Sequence, residues 1–158
     1  MVPNDKAFDG KQSYEDNGKT IFRWHYVRDI GDYQLQFRFI STNSPYKQGI
    51  ALFFSEFGGR VWLDGVPLTV PKGKFRHYVF KEGELSNNQF TLSVQCETGY
   101  LYFGNASERP ELGIFTCGSL GNAFWIENLD SNFYRFHCND HEYDDDFDDL
   151  LFEMKVIS

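Results

Sequence analysis

Gly59 to Leu68, GRVWLDGVPL, reads as a strand, a two-residue turn and the start of a returning strand. Asp64-Gly65 sits between apolar runs, and an Asp-Gly pair suits a type I′ turn, which needs φ > 0 at both central residues. Strand alternation then sorts the side chains. Val61 and Leu63 point one way; Arg60, Trp62 and Asp64 point the other. Pro67 and Pro71 cannot donate to a ladder, so the returning strand is short or lies at an edge.

The same alternation extends outward from this hairpin. In YQLQFRFI (33–40), Tyr33, Leu35, Phe37 and Phe39 share one face, while Gln34, Gln36 and Arg38 share the other. NQFTLSVQC (88–96) places Phe90, Leu92, Val94 and Cys96 together. GIALFF (49–54) is a continuous apolar run, as expected of a strand covered on both faces. IFRWHYVR (21–28), KFRHYVFK (74–81), GYLYFG (99–104), LGIFTC (112–117), AFWIE (123–127), NFYRFHC (132–138) and DLLFEMKVI (149–157) read as further strands. Residues 1–20 are polar, a loose leader with at most one short edge strand, and KEGELSNNQ (81–89) is a loop. Short strands spaced by Gly, Asn, Asp and Pro turns predict an antiparallel β-sandwich. At 158 residues the chain is expected to be a single all-β domain.

Composition narrows the partners. The net charge of -8 argues against nucleic acid and against anionic membrane surfaces, which reward clustered Lys and Arg. No apolar run reaches the roughly 18 residues of a spanning helix, so no membrane insertion is expected. MVPNDKAFDGKQ lacks the basic and apolar regions of a signal peptide, which leaves open an intracellular protein or a secreted one whose signal has been removed. The aromatic share of 18% exceeds what one core needs, and the excess is what a stacking surface would use. Cys96, Cys117 and Cys138 form no CxxC pair, so buried free thiols are expected rather than a zinc site, with one disulfide as the other arrangement.

From about 31 to 96 the chain resembles the sugar-binding jelly-roll domain of family 2 glycoside hydrolases. VWLDGVPL (61–68), GKFRHYVF (73–80) and NQFTLSV (88–94) carry the likeness. That family has Asn-Gly where this chain has Asp64-Gly65, and its pattern stops after Cys96. The last strand, FDDLLFEMKVI (147–157), looks like the closing strand of jelly-roll carbohydrate-binding modules. Both resemblances imply a galactose-binding-domain-like sandwich that belongs to a larger, secreted or surface-bound glycan-degrading protein. The catalytic carboxylates of family 2 enzymes lie in a barrel of about 250 residues, so glycosidase activity is not implied.

Sugar rings present apolar C–H faces that stack on Trp and Tyr, and their hydroxyls need polar partners. The candidates are Trp24, Tyr46, Trp62, Tyr100, Tyr102 and Trp125, with Arg60 and Asp64 on the face of Trp62. A strand Trp is more often a core filler, so each of these has that ordinary reading beside it. The acidic run DHEYDDDFDD (140–149) holds seven carboxylates in ten residues. A solvated loop is its plain reading; calcium, which takes clustered oxygen ligands, is the other. Through the resemblance, Asp148 or Asp149, with Asp146, would hold a structural calcium. No nucleophile elbow, zinc-protease motif or phosphate loop is present, and His25, His77, His137 and His141 are scattered. Asn105-Ala106-Ser107 is a glycosylation sequon, a match frequent by chance.

The sequence therefore predicts a non-catalytic carbohydrate-binding module. A structural or protein-interaction sandwich of a larger glycoside hydrolase is the alternative. A small jelly-roll enzyme is the third reading and would need convergent carboxylates or a His cluster.

Overall fold

A computed structural model describes residues 12–70, 77–117, 122–140 and 146–157. Among them twelve strands run in chain order: β1 (Ser13–Asp16), β2 (Lys19–Phe22), β3 (His25–Val27), β4 (Gly31–Thr42), β5 (Gln48–Leu63), β6 (Val66–Leu68), β7 (His77–Lys81), β8 (Gln89–Arg109), β9 (Ile114–Cys117), β10 (Ala123–Asp130), β11 (Phe133–Asn139) and β12 (Leu150–Ile157). Every pairing is antiparallel. The chain is an all-β sandwich, as its alternation predicts.

The quoted hairpin forms as read. Asp64 and Gly65 have φ of 48° and 82°, the type I′ pair, and Leu63 meets Val66 directly across the turn. β6 is three residues long and lies at the edge, where Pro67 needs no ladder partner on its outer side.

Two long strands make the sandwich. The larger layer has the order β1-β2-β10-β11-β12-β4-β8-β5-β6. It uses only the first half of β8, which pairs β4 through Gln89–Cys96, and the end of β5. The second half of β8 and the start of β5 form the smaller layer with β3, β7 and β9. Both strands bend where the β5–β8 register slips, between Ser55 and Gly59. Gly59 (φ 147°) and Gly99 (φ 69°) sit at that corner, and a Cβ on either would overlap a backbone carbonyl of the opposite strand, Gln95 or Glu56. Glycine is therefore required at the bend.

Apolar alternation fills the space between the layers. Tyr33, Leu35, Phe37 and Phe39 of β4 and Phe90, Leu92, Val94 and Cys96 of β8 are all buried. Phe103, from the smaller layer, packs on Phe37, Phe136 and Phe152 of the larger, with ring centroids 5.1 to 6.3 Å apart. Such ring pairs contribute about 0.5–1.5 kcal/mol each beyond area burial.

Two expectations need correcting. IFRWHYVR is not one strand: β2 joins the larger layer and β3 the smaller, so the chain crosses between layers at Arg23–Trp24. GIALFF and GRVWL are one strand, as are FTLSVQC and GYLYFG, because bulges bend a strand without ending it. The polar leader does hold one short edge strand, β1, which pairs with β2. Residues 71–76 and 141–145, with Pro71, His141 and half of the acidic run, lie outside the described residues.

Candidate ligand-binding face

The outer face of the larger layer is a grid of polar side chains. Ladder register sets its rows: Asp32–Gln95–Arg60, then Ile157–Gln34–Ser93–Trp62, then Lys155–Gln36–Thr91, then Glu153–Arg38–Gln89. Each residue here is the outward partner of a buried one, so the burial of Leu35, Phe37, Leu92 and Val94 is what aims the amides outward. A hollow of about 370 Å³ is lined by Asp32, Gln34, Trp62, Ser93, Gln95 and Ile157. A second, of about 650 Å³, takes in Gln36, Arg38, Asn87, Gln89, Lys155 and Phe133, with Asp64 and Glu153 also on its wall.

Trp62 is the indole of this face, and Phe133, ladder partner of Lys155, is an aromatic of the larger hollow. Trp62 is half-buried and packs on no other ring among the described residues; Asp32, Gln34, Ser93, Gln95 and Ile157 share its hollow, and Pro67 lies across the ladder. Gln34 Nε2 donates to Ser93 Oγ at 3.4 Å beside Trp62. Asp64 is fixed at the hairpin: its Oδ1 accepts the Thr91 N–H at 2.8 Å, and its own N–H donates to the Thr91 carbonyl at 2.9 Å. Arg60 is exposed in the row next to Trp62.

The other candidate indoles are committed elsewhere. Trp125 stacks on His137, centroids 3.9 Å apart and planes 6° from parallel, and Lys19 Nζ lies 4.0 Å from its ring centre. With His137 on one face, Lys19 takes the other. Trp24 stands edge-on to Phe53 and Tyr102. Phe53 and Tyr102 stack on each other 5.1 Å apart, and Tyr26 packs against both Tyr100 and Tyr102. Arg28 covers Tyr26 and Tyr100 at 4.9 and 4.2 Å. Trp24, Tyr100 and Tyr102 thus meet on the outer face of the smaller layer in edge-on and tilted ring contacts. Tyr46 lies in the β4–β5 loop, where its N–H donates to Ser44 Oγ and its carbonyl accepts from Gln48 Nε2; it does not line either hollow.

A charged cluster borders the grid. Arg135 Nε and Nη2 both donate to Glu153 Oε2, at 3.1 and 2.7 Å, and Nη1 lies 3.9 Å from Glu127. His137 Nε2 donates to Glu127 Oε1 at 2.9 Å. That hydrogen bond, with the nearby positive charges, holds the Glu127 carboxyl below its usual range. Glu127 and Glu153 thus converge on Arg135, outside the acidic run. A glycosidase needs one carboxyl held protonated by a raised pKa, and this arrangement pushes Glu127 the other way.

The three Asp named for calcium sit at the opposite end of β12. Asp146 is exposed. Asp148 Oδ2 accepts from Asn43 Nδ2 at 2.8 Å, while its Oδ1 is buried with no hydrogen-bond partner. Asp149 is buried and its Oδ2 accepts the Asp140 N–H at 2.9 Å. Asp140 and Asp149 are therefore not solvated loop carboxylates. The described residues hold no group of three or more His, Cys, Asp or Glu set to bind a metal. The Asp148 Oδ1, buried without a partner, is the feature of this end that suits a hard cation.

The remaining motifs resolve simply. All three cysteines are free, with Cys96 and Cys138 buried, and burial raises the Cys117 thiol to about 11. Asn105 is fully buried and donates to the Asn139 carbonyl at 2.6 Å, so the folded sequon presents no acceptor nitrogen.

Sequence reading missed Gln89, Thr91, Ser93, Gln95 and Lys155 as site residues. The signal was present: two strands whose outward positions are filled almost entirely by amides and hydroxyls. Set against protein-family models, curated proteins and solved structures, the chain matches none.

Proposed function

We propose that this protein is a non-catalytic carbohydrate-binding module, a jelly roll of the galactose-binding-like kind, that takes a glycan on the outer face of its larger layer. One observation carries the reading: of the three Trp, Trp62 alone makes no ring or cation contact among the described residues, and it stands in a hollow shared with Asp32, Gln34, Ser93, Gln95 and Ile157. An indole face supplies stacking for the C–H surface of a sugar; Gln34, Ser93 and Gln95 supply directional partners for its hydroxyls. The hairpin keeps Trp62 in place, because the type I′ turn and the Asp64–Thr91 bonds fix the end of β5. Binding would need little reorganisation of strand-borne side chains, which limits its entropic cost.

A structural calcium belongs to the same reading, at Asp148 with Asp146 and Asp149 beside it. The buried Asp148 Oδ1 without a partner supports it. Residence in a larger, secreted or surface-bound protein is likewise part of this proposal and rests on the resemblance.

The test is calorimetry with a panel of plant and microbial oligosaccharides on the wild type and on Trp62→Ala. Saturable binding that Trp62→Ala abolishes is the expected result; a panel with no binder rejects the reading. A structural, protein-interacting sandwich is the second reading. The aromatic outer face of the smaller layer favours it, since Trp24, Tyr26, Phe53, Tyr100 and Tyr102 form one continuous surface there.

A further inference from the structure

We infer that the glycan of this face is acidic: an oligosaccharide carrying ring carboxylates, as in a polyuronate. The inference rests on the glycan reading above and adds the charge of its ligand.

The protein carries 23 acids against 15 Lys and Arg, so a cation on its surface has acids in excess around it. Yet Arg38, Arg60 and Lys155 form no ion pair among the described residues, and all three stand on this one grid. Arg38 and Lys155 line the larger hollow. Most acids of the face hold hydrogen bonds, and the one charge of Arg135 serves both Glu153, at 2.7 Å, and Glu127, at 3.9 Å. Glu153 is the direct ladder neighbour of Arg38, but its carboxylate goes to Arg135 at 2.7 Å. Glu127 is held by His137 and Arg135. Asp64 accepts the Thr91 amide. Asp32, exposed at the far row beside Gln95, is the acid without such a partner. At the larger hollow Glu153 is paired with Arg135, so Arg38 and Lys155 stand there against the single charge of Asp64.

Geometry places the Arg38 charge at a useful distance from the stacking ring. Rows of one strand face lie about 7 Å apart and neighbouring strands about 5 Å, so Arg38, two rows and two strands from Trp62, is roughly 13 Å along the strands and about 10 Å across them from it. A sugar stacked on Trp62 can therefore extend its chain across Gln36 and Thr91 to the Arg38 guanidinium. That group's planar fork matches a carboxylate, and Lys155 supplies a second positive charge at the same hollow.

The experiment compares polygalacturonate oligomers with neutral galactan and xylan oligomers of equal length, and with chondroitin sulfate oligomers. It is run by calorimetry at low and high salt on the wild type, Arg38→Gln and Lys155→Gln; both substituted residues are exposed, so folding is not at stake. The uronate oligomers are expected to bind at least tenfold tighter than the neutral ones, about 1.4 kcal/mol. Salt should weaken that preference, and each substitution should lower the uronate-to-neutral ratio severalfold. Neutral oligomers binding as well as uronates overturn this inference and leave the glycan reading standing. Tighter binding of the sulfated oligomers also overturns it, since the charge would then belong to a sulfate. Failure of every oligosaccharide removes both.

Discussion

Trp125 and His137 lie ring on ring, 3.9 Å between centroids and 6° from parallel, with Lys19 over the indole at 4.0 Å. This contact closes Trp125 to any ligand and ties β10 to β11 beside a small satellite cluster of Ile21, Ala123 and Phe147. Trp125→Ala should therefore cost stability, about 2 kcal/mol for a half-buried indole, and leave glycan affinity within twofold. Urea denaturation and calorimetry on the same variant check both halves. Loss of binding with unchanged stability would reverse the assignment.

The bend that divides β5 and β8 between layers depends on Gly59. Its φ of 147° and the overlap a Cβ would make with the Gln95 carbonyl both exclude alanine. Gly59→Ala should destabilise the fold by more than about 2 kcal/mol, whereas Gly83→Ala, where a Cβ meets open space at φ 76°, should cost less. Thermal midpoints of the two variants give the comparison.

His25 packs against Phe103, Tyr134 and Phe136, and burial lowers its pKa from 6.5 to about 4. The folded state keeps this ring neutral while the unfolded chain takes up a proton below 6.5. Its contribution is thus complete above pH 6.5, is lost as pH falls from there towards 4, and is flat below that. The drop amounts to about 3 kcal/mol. His25→Phe should flatten this segment of the stability–pH curve; subtracting its curve from the wild type removes the background of ordinary carboxylates. An unchanged slope between pH 6.5 and 4 would contradict the burial argument.

Calcium at Asp148 predicts linkage. Adding calcium should raise the melting temperature and a chelator should lower it, because a ligand bound only to the folded state stabilises by mass action. Asp148→Asn should abolish that difference. A melting temperature indifferent to both additions would leave Asp148 as a hydrogen-bond acceptor for Asn43 alone.

Much of the fold was legible because burial on a strand leaves a period of two. That period identified the inward faces of β4 and β8, and the Asp64-Gly65 pair identified the turn. The crossing at Arg23–Trp24 was not legible: nothing in IFRWHYVR marks a change of layer, since both halves are apolar enough to pack. The bulges at Gly58-Gly59 and Gly99 read as strand ends because glycine signals both a break and a bend. At the candidate site, the hairpin correctly aimed Arg60, Trp62 and Asp64 outward together. Which Trp keeps a free ring was out of reach, because it depends on partners distant in sequence: His137 for Trp125, and Phe53 and Tyr102 for Trp24.

The most direct test isolates Trp62. In the Trp24→Phe, Trp125→Phe double variant all tryptophan fluorescence comes from Trp62. Titration with the tightest oligosaccharide of the panel should shift its emission and shield it from acrylamide, with the saturation point matching calorimetry. Binding that leaves the emission and quenching of Trp62 unchanged would contradict the placement of the glycan on this face.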